Sequence, residues 1–197
     1  MNINLKKKSK KKIILEESAI LFNEMGYSAT SMNDIAKKIG VRASSLYNHI
    51  NSKQEILSIL LLTIANKFHN GIVEVNNMSY SHKEKLKEII KMHITIATEN
   101  QNITALITQD WKHLEEPSLS EFKKIRLDYQ ETLRNVIANG IQNGELKSTN
   151  LEITLNVIIS SLRWIYYSKI YGDTSSVSLK ELENTILEIV FNGVNRN

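Results

Sequence analysis

Hydrophobic residues recur along the chain at the three- and four-residue spacing of amphipathic helices, and no segment keeps the alternation of a strand. A serine or threonine with an acid three residues later precedes several of these runs, which is the spacing of a capping box. The boxes are predicted at Ser31/Asp34, Ser52/Glu55, Ser81/Glu84, Ser118/Glu121, Thr149/Glu152 and Ser178/Glu181. The pattern predicts an all-α protein of nine helices, at about 11–25, 31–39, 44–50, 52–75, 81–97, 103–114, 119–141, 151–166 and 182–190.

The second and third predicted helices have the pattern of a helix-turn-helix. We expect Gly40 to end the first of them in the left-handed conformation, and Val41 to close the turn. Ala36 is small enough for two helices to cross closely at roughly 90–120°. Ser44 or Ser45 is expected to cap the next helix, whose inward residues are Leu46 and Ile50.

The outward positions of this unit carry hydrogen-bond donors, an aromatic ring and cations without an acid, which is typical of a helix that meets nucleic acid. Tyr47, His49 and Lys53 are expected to contact phosphates, whereas Arg42, Ser45 and Asn48 are expected to reach base edges. The residues predicted to bind DNA are Thr30, Ser31, Arg42, Ala43, Ser44, Ser45, Tyr47, Asn48, His49 and Lys53.

The order of these residues resembles the DNA-binding domain of the tetracycline-repressor (TetR) family. The shared features are Leu21-Phe22, Gly26-Tyr27, Thr30, Asp34-Ile35-Ala36, Gly40-Val41, Leu46-Tyr47, His49, Ser52-Lys53 and Leu57. Ile50 and Ser44 depart from it, since many members have phenylalanine and glycine there. The resemblance covers roughly a quarter of the chain. It implies a DNA-binding domain at 1–53 and a helical ligand-binding and dimerisation domain at 54–197, in which a ligand shifts the fourth helix and releases DNA.

Basic charge is concentrated at one end of the chain. The net charge is +4, but residues 1–53 contain ten Lys/Arg against four Asp/Glu, so this end favours a polyanionic partner. Six of the seven residues at 6–12 are lysines. This arm either neutralises phosphates or is a solubilising tail, and the sequence supports both readings equally.

The residue inventory argues against an enzyme. The chain has no cysteine, which excludes disulfides, thiolate catalysis and cysteine-ligated zinc and fits the cytoplasm. The five histidines form no H-x-x-x-H pair, and the chain has neither a Gly-rich phosphate loop nor a G-x-S-x-G motif. We therefore expect no catalytic residue, metal or cofactor. A signal peptide and an apolar run of the roughly 18 residues that span a bilayer are also absent, so no membrane partner is expected.

A small-molecule site is expected in the second domain. His93 lies within an apolar stripe, where a hydrogen-bonded core histidine is the commoner outcome and a ligand contact the alternative. Arg163 lies among apolar residues and should extend to solvent, pair with an acid or hold an anionic ligand, with pairing favoured. The candidate ligand-binding residues are His93, Trp111, Arg126, Tyr129 and Arg163. Segment 110–114 resembles family members that sense acyl-CoA-type lipids, which would suit an apolar pocket with a basic mouth.

The last two predicted helices offer more apolar surface than one chain needs. Val157, Trp164 and Tyr167 lie outside the main stripe of the first of these helices, and a helix that is apolar nearly all round is buried. A second copy of the chain is the natural cover, and the resemblance also implies a homodimer through the last two helices. The predicted interface residues are Leu155, Ile159, Leu162, Tyr166, Leu182, Ile186, Ile189 and Val190.

These features predict a ligand-responsive transcriptional regulator, expected to be a repressor, that binds double-stranded operator DNA as a homodimer and is released by a small-molecule effector. A two-fold dimer requires a palindromic operator with half-sites about 34–36 Å apart, or a multiple of that distance. The alternative is a helical protein-interaction scaffold whose helix-turn-helix is vestigial. A gel shift separates the two hypotheses.

Overall fold

The computed structural model describes residues 9–167 and 177–193, and within these ranges it contains helices and turns but no strand. The α-helices are α1 (Lys10–Met25), α2 (Met32–Ile39), α3 (Ala43–Tyr47), α4 (Lys53–Asn76), α5 (His82–Glu99), α6 (Gln101–Thr104), α7 (Leu106–Gln109), α8 (Ser118–Gln142), α9 (Leu151–Arg163) and α10 (Leu179–Asn192). Short 3₁₀ turns follow α7 at Trp111–His113 and α9 at Trp164–Tyr167. The prediction of an all-α fold is confirmed.

Local capping explains where several helices begin. Ser31 and Ser81 form complete capping boxes, in which the serine accepts from the third backbone N–H and the acid accepts from the serine N–H. Ser178 accepts from Glu181 N at 3.1 Å. Three predicted caps are wrong. Asn150, not Thr149, caps α9, and Arg42 precedes α3 without a side-chain bond. Ser118 is the first helical residue of α8, where the Glu116 carboxylate accepts from Ser120 N at 3.2 Å.

The predicted helix at 103–114 is replaced by α6, α7 and a 3₁₀ turn. Polar side chains near this segment bond to backbone carbonyls: Asn100 Nδ2 donates to Ile96 O at 2.8 Å at the end of α5, and Thr108 Oγ1 donates to Ala105 O at 3.0 Å at the start of α7. Such local bonds compete with a continuous helical ladder. The predicted helix at 151–166 similarly ends at Arg163 and continues only as a 3₁₀ turn.

The first compact unit comprises Met1–Ile64 and Asn102–Phe122. It therefore extends beyond the predicted boundary at residue 53, since the first half of α4 and a later segment complete a core too small to stand on three helices. Asn23 Nδ2 donates to Asn102 O at 2.6 Å within this unit. Its most buried apolar side chains are Ile14, Phe22, Ile35, Leu46, Ile50, Ile56, Leu57, Leu61, Leu106 and Phe122.

The second unit comprises Ala65–Gln101 and Lys123–Asn197. At the surface, Arg134 of α8 forms an ion pair with Glu152 of α9, with 2.8 Å between Nε and Oε1, and His82 Nδ1 of α5 lies 3.1 Å from Glu145 Oε1. Its core is formed mainly by Phe68, Ile72, Leu86, Ile89, Ile90, Ile94, Leu133, Val136, Ile137, Leu155, Ile158, Leu162 and Ile165.

Helix α4 is long and apolar enough, by length and composition alone, to cross a membrane. The sequence pattern did not predict a helix with this property. Core helices of soluble proteins have the same property. The apolar side chains Ile56, Leu57, Leu61, Ile64 and Ile72 of α4 are almost completely buried within the protein. Its composition is therefore that of a core helix.

Candidate nucleic-acid interface and effector site

The helix-turn-helix is built by α2 and α3 across a short connection. Gly40 ends α2 with φ 75° and ψ 32°, the left-handed conformation that the sequence predicts. Val41 N then donates to Ala36 O at 3.0 Å, which closes the turn. Ile35, Ala36 and Leu46 are buried between the helices, so the small side chain of Ala36 lies in the packed interior of this unit.

The opposite side of this unit is open to solvent. Ala43 and Ser45 are half-buried beside it. No acidic side chain lies between residues 42 and 50. The predicted DNA-binding residues that are exposed here are Ser31, Arg42, Ser44, Tyr47, Asn48 and His49. This surface, which we call the recognition face, offers a guanidinium, an amide, an imidazole and hydroxyl groups to base edges and phosphates.

Thr30 does not belong to the recognition face, and its assignment to DNA binding is wrong. Its side chain is only 1% exposed. The hydroxyl donates to Gly26 O at 2.8 Å, with Leu21 O at 3.4 Å. The Gly26 carbonyl, just beyond the end of α1, thus accepts from both the hydroxyl and the backbone N–H of Thr30.

Lys53 is also turned inward, although the sequence predicts an outward cation. Its Nζ donates to Thr30 O at 2.7 Å and to Tyr27 O at 2.8 Å, and it lies 4.4 Å from the centre of the Tyr27 ring. The sequence gives no sign of these partners, because the carbonyls belong to a turn more than twenty residues earlier in the chain.

Tyr27 is the centre of a second set of contacts that sequence analysis missed. Its hydroxyl donates to Gln54 Oε1 at 2.7 Å, and its ring stacks on that of His113 with 5.3 Å between centres. Gln54 Nε2 donates to His113 O at 3.0 Å. Burial, followed by the negative charges of Glu115 and Asp110, raises the pKa of Tyr27.

The described part of the basic N-terminus begins at Ser9, which caps α1 by accepting from Lys12 N at 3.3 Å. Lys11 Nζ lies 3.2 Å from Glu55 Oε1, so one lysine of the predicted arm is paired within the protein. The Asn51 backbone N–H is the largest of the influences that lower the pKa of Glu55, with Lys11 contributing less. The other part of the arm, residues 6–8, lies outside the described residues.

In the second unit, His93 is enclosed by aromatic residues. Its Nδ1 lies 2.9 Å from Tyr129 Oη, its Nε2 lies 2.8 Å from Tyr166 Oη, and its ring lies 4.5 Å from that of Phe68. Burial, assisted by the Arg163 charge, lowers the pKa of His93 to about 3. Burial also raises the pKa of Tyr129. His93 is therefore a neutral, hydrogen-bonded core histidine, and Tyr166 belongs to its surroundings.

Two arginines lie near this aromatic cluster. Burial and the charge of Arg163 lower the pKa of Arg126, which is half-buried. Arg163 is exposed and makes no ion pair among the described residues, which therefore do not bear out the favoured prediction of pairing. Trp111 is a member of the first unit, where it begins the 3₁₀ turn.

The predicted dimer residues are mostly occupied within one chain. Leu155, Ile159, Leu162, Tyr166 and Ile186 are buried without a partner subunit, so the prediction that they supply spare apolar surface is wrong. Leu182 and Val190 are half-buried, and Ile189 is exposed. The inward stripe of α9 is the more continuous one, and it is used by the core of the same chain.

A different apolar surface is exposed on α9, on the 3₁₀ turn that follows it and on α10, and we call it the outer face. It consists of Ile153, Val157, Trp164 and Ile189, with exposures of 65%, 59%, 41% and 48%. A groove of about 390 Å³ lies beside Trp164 and Ile189, and another of about 480 Å³ lies beside Ile153 and Val157. Val157 and Trp164 are two of the three residues that the sequence places outside the main stripe; the third, Tyr167, has no described side chain.

Comparison with known proteins agrees with this architecture. Residues 14–59 match the model of bacterial regulatory proteins of the tetR family, and residues 79–194 match that of the tetracyclin repressor-like C-terminal domain. The fatty acid metabolism regulator protein of Bacillus subtilis (strain 168) is 25% identical over 185 residues, which cover 92% of this chain and 93% of that protein.

Solved structures share the fold over nearly the whole chain. The TetR family transcriptional regulator PfmR from Thermus thermophilus has a TM-score of 0.81 at 25% identity, with 93% of this chain and 99% of that chain covered. AibR, in complex with isovaleryl coenzyme A and operator DNA, has a TM-score of 0.79 at 18% identity, with 93% and 98% covered. The two family models together span most of the sequence. The chain belongs to the TetR family of helix-turn-helix transcriptional regulators.

Proposed function

We propose that the protein is a repressor that binds a palindromic operator as a homodimer in the cytoplasm and leaves it when a small-molecule effector binds the second unit. The recognition face carries this proposal. Arg42, Asn48 and His49 are exposed together there on a helix-turn-helix, and α2 is fixed by its capping box. An amide or guanidinium on such a helix can read base edges in the major groove. A scaffold would not require this set of side chains.

The outer face supports the homodimer. Ile153, Val157 and Ile189 form an apolar surface on a charged protein, and such patches mark interfaces. Two helices from each of two subunits can form a four-helix bundle around a two-fold axis. A palindromic operator requires such a two-fold dimer, with half-sites about 34–36 Å apart or a multiple of that distance.

For the effector we propose an acyl-CoA-type ligand. The B. subtilis relative is named as a regulator of fatty acid metabolism, and AibR is titled as a complex with isovaleryl coenzyme A. In this chain, Arg126 and Arg163 lie close enough for one to lower the pKa of the other, beside aromatic residues. Guanidinium groups beside aromatic side chains suit a ligand that has both phosphates and an apolar part.

DNA binding is tested by selecting ligands from a random double-stranded library with the full-length protein, followed by gel shifts with the selected sequence. We expect an enriched palindrome and binding that weakens as salt is raised. Failure to enrich any sequence above the starting library would contradict the proposed function.

The effector class is tested separately with palmitoyl-CoA, free coenzyme A and palmitate. We expect palmitoyl-CoA alone to raise the melting temperature and release the selected operator, because it combines both recognised parts. Operator binding that does not respond to any of the three compounds would reject this effector class and leave the DNA-binding function standing.

A further inference from the structure

The ammonium of Lys53 lies at the first residue of α4, where an exposed lysine would meet a phosphate, yet it is engaged within the protein. Its Nζ lies 2.7 Å from Thr30 O, 2.8 Å from Tyr27 O and 3.4 Å from Ser28 O. All three acceptors are backbone carbonyls of the turn between α1 and α2. The ammonium also lies over the Tyr27 ring, at 4.4 Å from its centre.

The number of N–H donors on the Lys53 ammonium determines whether it can also bind a phosphate. A lysine ammonium has three N–H donors and no acceptor. The three carbonyls match these donors, so a phosphate would have to displace one of them, with the long contact to Ser28 the weakest. Bonds from a charged donor to backbone carbonyls are among the stronger hydrogen bonds, and this arrangement is already complete without DNA.

The turn that Lys53 holds leads directly into the recognition unit. Ser31, the next residue after Thr30, is the N-cap of α2 and forms its capping box with Asp34. Helix α2 in turn packs on α3, whose neighbours form the recognition face. A fixed distance between the turn and the first residue of α4 therefore fixes the start of α2 within the first unit.

The same turn is supported from another direction within this unit. The Tyr27 hydroxyl donates to Gln54, the residue after Lys53, and Gln54 donates to His113 O at 3.0 Å. The backbone N–H of Tyr27 stabilises the carboxylate of Asp110, which is buried. Segment 110–113 and the first turn of α4 thus hold Tyr27 together.

We propose that Lys53 is a positioning residue for operator binding and not a phosphate contact: it holds the α1–α2 turn, and through it α2 and α3, in the arrangement that meets DNA. The inference rests on the proposed operator binding. It predicts that Lys53 increases the affinity for the operator but does not release counterions from the DNA.

The slope of affinity against salt separates the two roles. Each phosphate contact that is lost reduces the slope by about 0.9. We expect Lys53→Met to weaken binding of the selected operator about tenfold, by analogy with the loss of a charge-assisted bond, while the slope stays at the wild-type value. Lys124→Met, which removes an exposed lysine of the second unit, controls for the loss of charge. Arg42→Met, at a residue expected to reach a base edge, should instead change sequence preference.

A reduced slope in Lys53→Met, or an unchanged affinity, would overturn the proposal. A thermal melt of each variant accompanies the binding series. If Lys53→Met does not fold, the wild-type protein decides the question through acetylation with an N-hydroxysuccinimide ester, read by mass spectrometry for each lysine.

In the free protein, Lys53 should react at least several-fold more slowly than Lys124, because its ammonium is bonded and partly buried. Fast reaction of Lys53 in the free protein, followed by protection on adding operator, would instead identify a phosphate contact. This measurement on free protein does not depend on DNA binding. Failure of the library selection therefore rejects the proposed function, whereas fast acetylation rejects only the inference about Lys53.

Discussion

Tyr166 Oη lies 2.8 Å from His93 Nε2, in a part of the second unit that is closed to solvent. The other ring nitrogen, Nδ1, lies 2.9 Å from Tyr129 Oη. Burial and the Arg163 charge together lower the pKa of His93 to about 3. The ring is therefore neutral near pH 7, and one nitrogen donates while the other accepts. In the folded protein, His93 therefore remains unprotonated at pH values where the same histidine of the unfolded chain would bind a proton.

The free energy of unfolding should consequently decrease as the pH is lowered below about 6.5, the ordinary pKa of histidine. Below that value the unfolded chain takes up a proton that folded His93 does not, so stability decreases as the pH is lowered. Between about pH 6.5 and 5, this linkage is worth about 2 kcal/mol. Urea unfolding of the wild type and His93→Gln over this range measures it.

The variant should lose about 2 kcal/mol less stability than the wild type between these two pH values, because glutamine does not titrate. Carboxylates that titrate in both proteins cancel in the comparison. Parallel stability curves for the two proteins would mean that His93 takes up its proton in the folded state, contrary to its burial.

Asn48 should determine sequence preference at one base pair of the operator. It is exposed immediately after α3, and an asparagine amide can pair with adenine through two hydrogen bonds. Asn48→Ala should reduce discrimination at that position by roughly 1–3 kcal/mol and leave the other positions unchanged. Competition among operators with single base-pair changes measures the effect.

Asn139→Ala is a matched control for this experiment, because Asn139 is exposed on α8 in the second unit. It should leave preference and affinity at their wild-type values. If Asn48→Ala keeps the full discrimination at every position, the recognition face reads bases through other side chains.

The lysine-rich arm should add affinity without adding sequence preference. Deletion of residues 1–8 removes Lys6, Lys7 and Lys8 but keeps Ser9, the N-cap of α1. If all three lysines meet phosphates, the salt slope should fall by up to about 3 while the selected sequence stays the same. Titrations of the full-length and shortened proteins over a salt series provide the measurement. An identical slope would show that the arm is only a solubilising tail.

Features of this fold that depend on neighbouring residues were predictable from sequence. Ser31 and Ser81 begin helices because their hydroxyls bond to an amide three residues away. Gly40 ends α2 because a left-handed residue is needed there. In each case the physical cause lies within one turn of the chain, so its pattern is visible without knowledge of the tertiary structure.

Features that depend on distant partners were not predictable in the same way. Thr30 and Lys53 both have residue types that suit DNA, but each bonds to carbonyls in or beside the α1–α2 turn. Which way the long side chain of Lys53 points is decided by how the α1–α2 turn lies beside the first turn of α4, which spacing does not describe. The two apolar stripes of α9 present the same difficulty: only the packed chain reveals which of them is covered.

The exposed apolar stripe of α9 is expected to form the dimer interface, whereas the buried stripe belongs to the core of each chain. Leu155 and Val157 lie two residues apart on α9, but Leu155 is 3% exposed and Val157 is 59% exposed in the single chain. A carboxylate at 155 would be buried in the core of each chain. A carboxylate at 157 remains in water in a monomer and becomes buried only when a second copy covers the outer face. A carboxylate at 155 should therefore prevent folding, whereas a carboxylate at 157 should prevent dimerisation.

Leu155→Glu should give an unfolded or insoluble protein, because an unpaired buried charge costs several kcal/mol. Val157→Glu should give a well-folded monomer, since the two-fold axis doubles the penalty at the interface and leaves the chain itself intact. Leu127→Glu places the same charge at an apolar residue of α8 that is 64% exposed, and it should remain a dimer. Sedimentation of the three variants, with thermal melts, distinguishes these states.

A monomeric Val157→Glu variant should bind a single half-site with affinity close to that of one wild-type subunit, but it should lose most of its affinity for the palindrome. The loss follows because the second recognition face is no longer held beside the first, and its binding ceases to be intramolecular. A dimer with native operator affinity would exclude the outer face as the interface. The spacing of the two half-sites would then have to be set by a different surface of the second unit.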